Sequence, residues 1–394
     1  MNPKAPSRVP PAEIDRRSML TYLRGMALAL VAQGLFPPMV RASTPPDKTP
    51  AGSDVIDEAL DLLSRYGPEY GGGLSNHAPM ACEALVALRR PEAILPWIEL
   101  YRSRLQEPPG KTDPISADAW QEALGDVRRV GDWIAFFERE LADGPWKSVL
   151  TGWLPRLAPG LFGAATHCVI RTGHAARRLA DSRTPQRLRE LAQGLGYWAA
   201  RYQTLPGTAA GGGKLSVAQA MPRVELLPDE LRRRGGLITT EVLALEDFPA
   251  FEKVINLVDP KRSKPDFLSQ LTRVFADVYL RYNGGFAFIH AVTGPSALRL
   301  LSPYLEPAAR RPASLYAWQS AAGIYARYAR TSFEPPEEHA SPTPEDLIDR
   351  AVNNGNAHAI KFTEVCLREW KLNPQPVYLA AALDSTERLR PLRS

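Results

Sequence analysis

From about residue 55 to residue 370, apolar side chains recur at three- and four-residue intervals, the period of helices with one face turned to a core. The first run holds Val55, Ile56, Leu60 and Leu63, broadened by Leu62, behind Ser53 as a capping residue. Further runs predict helices over roughly 77–89, 93–105, 130–141, 163–180, 186–202, 268–282, 312–328, 344–353 and 356–370. Almost no stretch shows the two-residue alternation of a strand. The exception is 223–245, where Leu237-Ile238-Thr239-Thr240 predicts short strands or an extended excursion between two helical blocks. No repeat of fixed period is present. The expected fold is mainly α, a single large multi-helix domain over residues 54–394 with long proline-containing loops.

Composition supports that outline. The 37 prolines exceed the usual share and concentrate in the first 50 residues and in the loops, giving short helices with hard stops. With 44% apolar residues among 394, material for a large core is ample. Cys82, Cys168 and Cys366 are an odd count at long spacings, so they define no disulfide framework and read as small buried apolar residues. The net charge is +5, yet six basic residues against Glu13 and Asp15 put +4 of it in the first 42 residues. A nearly neutral remainder lacks the basic stripe of a nucleic-acid binder, and nucleic acid is set aside as a partner.

Those first residues have a pattern of their own. Asp15-Arg16-Arg17-Ser18-Met19-Leu20 places an arginine pair before the uncharged run Gly25 to Phe36, as in a twin-arginine export signal. That run is shorter than the ~20 residues needed to span a bilayer. Val40-Arg41-Ala42 offers small residues where a signal peptidase reads. The expectation is a cleavable leader over 1–42 and a linker over 43–53. Export by the twin-arginine machinery would then leave a periplasmic or secreted protein with no stable membrane span. An uncleaved anchoring segment is the alternative.

Several familiar motifs fail on inspection. Gly211-Gly212-Gly213-Lys214 has Thr208 where a phosphate loop needs its first glycine, and Leu215 where magnesium binding needs a hydroxyl. Gly71-Gly72-Gly73 follows no apolar strand, and Gly294-Pro295-Ser296 lacks the second glycine of a nucleophile elbow. No C-x-x-C pair offers a zinc site.

The remaining chemistry lies in six histidines. Four of them, His77, His167, His290 and His358, begin or sit inside helical stretches rich in small residues, as in Asn76-His77-Ala78-Pro79 and Asn356-Ala357-His358-Ala359. Small neighbours let a side chain face a crowded interior. One histidine so placed can be a satisfied core residue; four together suggest a shared site. Lys361 lies three residues after His358 and shares its helix face. It is either a solvated lysine paired with Glu364 or a buried neutral amine able to take up CO₂ as a carbamate. His174 lies seven residues after His167, with Arg171 between them, and His339 falls in the acidic, proline-rich Glu334–His339 loop.

In their order along the chain, four segments resemble the questin oxidase family. They are Asn76-His77-Ala78-Pro79-Met80, the run Leu157–His167 followed by Ile170-Arg171, His290-Ala291-Val292-Thr293-Gly294-Pro295, and His358 with Lys361. The family includes oxygenases that open or rearrange fused-ring aromatic polyketides, some of Baeyer-Villiger type and using NADPH. The resemblance implies a non-haem iron held by His77, His167, His290, His358 and a carboxylated Lys361, and O₂ with a small aromatic substrate as reaction partners. It leaves His174 out of the ligand set. Met80, Ala81 and Arg171 stand where fungal relatives often carry further histidines. Arg171 would contact a phenolate or enolate, or else pair with a carboxylate such as Glu83, and Trp153, Trp198, Tyr202 and Trp318 either line a substrate pocket or fill the core. Two other readings remain: a divalent-metal, zinc-type hydrolase using the same residues, and a non-catalytic helical binding protein whose histidines lie far apart.

Overall fold

A computed structural model describes residues 53–232, 235–263, 265–332 and 342–393. The expected leader, the cleavage position after Ala42, the linker up to residue 52 and His339 lie outside the described residues. The chain from residue 50 onward clusters as one compact unit.

The described residues are mainly α-helical. The longer helices are α1 (Ser53–Leu63), α2 (Ala78–Ala87), α3 (Ile94–Tyr101), α4 (Val130–Asp143), α5 (Trp146–Leu157), α6 (His167–Asp181) and α7 (Pro185–Ala200), followed by α8 (Phe267–Arg281), α9 (Phe286–Leu301), α10 (Pro307–Tyr328), α11 (Pro344–Asn354), α12 (Ala357–Leu372) and α13 (Pro376–Arg388). Each expected helix has a counterpart among them. Helices α5 and α13 had no predicted span, and for α9 only a helical stretch around His290 was expected, without bounds. Among the described residues of 223–245 no strand forms: the backbone is extended at Val224, Arg232 and Leu237, between 3₁₀ turns and the single helical turn Ile238–Glu241, where strands were one of the two expectations. Two-residue strands β1 (Glu69–Tyr70) and β2 (Leu74–Ser75) pair antiparallel just before α2 and make the only sheet among the described residues. No described helix is long and apolar enough to cross a membrane.

The site is positioned by a ring of four helices, in which α2 packs on α6, α6 on α9, α9 on α12, and α12 back on α2. Small residues make this close packing possible. At Gly294 of α9 an added Cβ would stand 2.8 Å from Cβ of Thr166, immediately before α6. The caps belong to the same design. Asn76 accepts from the backbone N–H of Ala78 at 3.0 Å and Asn356 from that of His358 at 2.9 Å, satisfying first-turn donors of α2 and α12. The three cysteines are free and buried, as small apolar core residues.

Candidate metal centre

The four helices bring their N-terminal portions together. His77 is the residue before α2, His167 the first of α6, His358 the second of α12 and His290 the fifth of α9. Nε2 of His77 lies 2.9 Å from Nε2 of His167 and 3.2 Å from Nε2 of His358. Among the described residues only His77, His167 and His358 have ligand nitrogens all within 4.8 Å of one another; His290 flanks them, its ring centroid 4.6 Å from that of His167 and 5.4 Å from that of His358. Lys361 is 3% exposed. The dispersed histidines expected of a non-catalytic binding protein are therefore not what the fold produces.

Burial is the first cause holding all four imidazoles well below their ordinary pKa of 6.5, with His290 pushed down to about 3. The charge of Lys361 acts on every one of them in the same direction. Burial also lowers the Lys361 amine to about 7. Around neutral pH the imidazoles are uncharged, and half or more of the amine is neutral at and above pH 7. The positive ends of the helix dipoles at these N-termini further disfavour protonation.

Hydrogen bonds at the far nitrogens fix where the lone pairs point. His167 Nδ1 lies 2.6 Å from the Ala164 carbonyl, which can only accept, so Nδ1 carries the hydrogen and Nε2 the lone pair. Tyr101 Oη donates to Tyr70 Oη at 3.4 Å and accepts from the His77 backbone N–H at 3.3 Å. With its proton so placed, Tyr101 accepts from His77 Nδ1 at 3.3 Å, and the Nε2 of His77 also presents a lone pair. Two lone pairs 2.9 Å apart repel unless a cation lies between them. Ligand nitrogens ~2.1 Å from a transition metal at bond angles near 90° would stand ~3.0 Å apart, close to both measured separations. His290 Nδ1 is buried without a hydrogen-bond partner, a polar atom left unsatisfied beside the cluster. The set of neutral nitrogens fits a transition metal and not magnesium or calcium.

A layer of buried charge lies about two to three turns further along the same helices. Glu83 of α2 pairs with Arg177 and Arg178 of α6, and Glu364 of α12 pairs with Arg177 and Arg368. Glu364 is thus engaged elsewhere, and the solvated Lys361–Glu364 pair is not formed. His174 belongs to this layer, 3.3 Å from Glu83, and burial pushes its pKa down to about 4. Arg171 faces away towards α7, donating to both Glu190 carboxylate oxygens at 2.6 and 2.7 Å and to Gln193 at 2.7 Å. Its charge is neutralised there, by Glu190 and not by Glu83.

The aromatic residues singled out in the sequence belong mostly to the core. Trp153, Trp198 and Trp318 are buried, with Trp198 donating to Gly160 and Trp318 to Val254, while Tyr202 is half-buried against Gly160. Two residues next to the histidines were not singled out: Tyr101, described above, and Phe286, whose ring lies 4.6 Å from that of His358 and 5.7 Å from that of His290. Ordinary helical spacing makes both look like core, and only the Phe-x-x-x-His interval of Phe286 and His290 could have signalled a shared helix face.

Residues 74–213 match the family model described as questin oxidase-like. No curated protein matches the chain. The matched segment contains His77, His167 and Arg171, whereas His290, His358 and Lys361 follow it in the sequence and join it in the fold. Over residues 74–213, which include the first two histidines of the cluster, the chain is similar to the questin oxidase-like family.

Proposed function

We propose that His77, His167, His290 and His358 hold one iron ion with Lys361 as a further ligand, in an O₂-dependent oxidoreductase acting on a polycyclic aromatic or quinone-like compound. The family match supports the oxidoreductase class. The single observation that carries the metal is the convergence of three imidazoles, buried or half-buried, with Nε2 of His77 2.9 Å from that of His167 and 3.2 Å from that of His358. Bound iron would supply the redox chemistry by which O₂ is activated for ring opening or Baeyer-Villiger insertion. The protein's part is to hold four imidazoles neutral and to exclude water.

Lys361 is the residue suited to supply negative charge. A neutral amine adds CO₂ and releases one proton, leaving an anionic carbamate whose oxygens can bind metal. Its low pKa makes the amine available, and the converging helix N-termini favour the anion. Arg171, tied to Glu190 and Gln193, acts in this proposal by fixing α6 against α7. NADPH is the proposed electron donor. Twin-arginine export to the periplasm or beyond would carry the protein folded, with its metal already inserted in the cytoplasm.

The test is metal analysis of protein folded in the cytoplasm. Near-stoichiometric iron, lost in His358→Ala and in His290→Ala, is expected; a fully folded, metal-free protein would overturn the proposal. Oxygen uptake with an anthraquinone and NADPH separates the oxygenase from a zinc-type hydrolase, which consumes none.

A further inference from the structure

We propose that Phe286 is the entrance residue of the metal centre, separating the histidines from a groove in which the planar substrate docks. The inference rests on the function proposed above. The groove has a volume of about 710 Å³, within the usual range for small-molecule sites, and its walls include Ile238, Tyr282, Phe288, Tyr328 and Arg330. Four rings line it beside polar groups such as Glu241 and Arg281, and Tyr282 and Phe288 stack at 5.3 Å with 29° between their planes. None of the four histidines lines the groove, but Phe286 does.

Phe286 has two sides. One is open, for the residue is 47% exposed, a large value for an aromatic beside buried titratable groups. The other lies edge-on against His358 and His290. Phe286 and His290 are one helical turn apart on α9, so the ring covers the imidazole that follows it. The helix start is anchored by the turn before it. Asn283 and Gly284 are left-handed, with φ of 53° and 66°, and a Cβ on Gly284 would stand 2.5 Å from Asp384 Oδ2. Asp384 of α13 in turn accepts from Tyr279 of α8 at 2.8 Å and from Arg388 at 2.6 Å, joining α13 to the helix from which this turn leaves. With the backbone so fixed, rotation of the Phe286 side chain is the small movement that joins groove to metal centre. A planar ligand stacked on or displacing the ring arrives at the His290–His358 edge, while His77 and His167 face Tyr101 and Ala164 on the other side.

The full-length protein, its Phe286→Ala variant and its Phe286→Trp variant test this in two arms. In the first, metal-free protein is treated with diethylpyrocarbonate and the modified histidines are mapped by mass spectrometry. His290 and His358 should be modified about tenfold faster in Phe286→Ala, His77 and His167 little faster, and Phe286→Trp should restore protection. In the second, iron(II)-loaded protein is stripped with 2,2′-bipyridine, and the release rates should follow the same order. Equal rates in the three proteins, or equal acceleration at all four histidines, would overturn the entrance role. A protein that takes up no iron yet shows the expected labelling would overturn the metal and leave the entrance standing.

Discussion

Lys361 acts on the cluster through its charge and Tyr101 through a hydrogen bond, with opposite consequences. Burying an amine whose pKa falls from 10.5 to about 7 costs folding free energy, because at neutral pH the unfolded chain holds a proton that the folded one tends to shed. Lys361→Met keeps the volume and removes the amine, so metal-free protein should gain on the order of 3 kcal/mol at pH 7 in urea denaturation while losing activity. A destabilised variant would mean that the amine serves the fold. Tyr101→Phe removes the acceptor from His77 Nδ1 and leaves the packing on Trp97, whose ring is 4.6 Å away. Metal affinity should fall about 10- to 100-fold, read by competition with a chelator, with a loss of stability of about 1–3 kcal/mol because the buried His77 backbone N–H also loses its acceptor. At this scale the small neighbours of His77, His167, His290 and His358 were legible in the sequence as a setting in which a side chain faces a crowded interior. The sequence did not reveal Tyr101 or Phe286, whose roles depend on contacts between segments distant in the chain.

The helices carrying His167 and His290 are joined by close backbone approach and a strained turn. Ala164, Ala165 and Thr166 all have positive φ, of 49°, 52° and 69°, in the left-handed region that costs an ordinary residue about 1–2 kcal/mol. That turn lets the His167 ring reach back to the Ala164 carbonyl. Ala165→Gly should therefore raise stability, by up to about 1 kcal/mol, seen as a higher melting temperature. Gly294→Ala should do the reverse, losing about 1–3 kcal/mol as its methyl group meets Thr166, and iron content should fall with it because α6 and α9 are pushed apart. The same packing explains why α9 had no predicted bounds. Buried on nearly every side and containing Gly294 and Pro295, it shows no amphipathic period, and its Gly-Pro pair reads as a break. Leu237-Ile238-Thr239-Thr240 misleads in the opposite direction. Its β-favouring residues give way to a helical turn ending at Glu241, which accepts from Arg327 and Tyr328 of α10.

For the molecule as a whole, helical periodicity was enough to give a mainly α fold, but not the closed ring of α2, α6, α9 and α12 or the groove outside it, since pairings between helices leave no local period. The ring has a consequence for stability against pH. The imidazoles of His77, His167, His174, His290 and His358 all titrate below their ordinary 6.5 when folded, so below that pH the unfolded chain binds more protons. Stability is therefore present above pH 6.5 and lost on acidification, by ~1.4 kcal/mol per pH unit for each histidine until its folded pKa is reached. Lys361 extends the same slope upward: between about 7 and 10.5 the unfolded chain again holds the extra proton, and stability rises with pH. Metal-free protein should thus lose stability steeply from pH 8 to pH 5 in urea titrations. Iron at about 1,000 times its Kd should add ~4 kcal/mol at pH 8, a gain that shrinks as protons compete for the same nitrogens. A metal-free unfolding free energy that stays flat from pH 8 to pH 5 would mean that these imidazoles are not held neutral by burial, and the lone-pair argument for the metal would lose its basis.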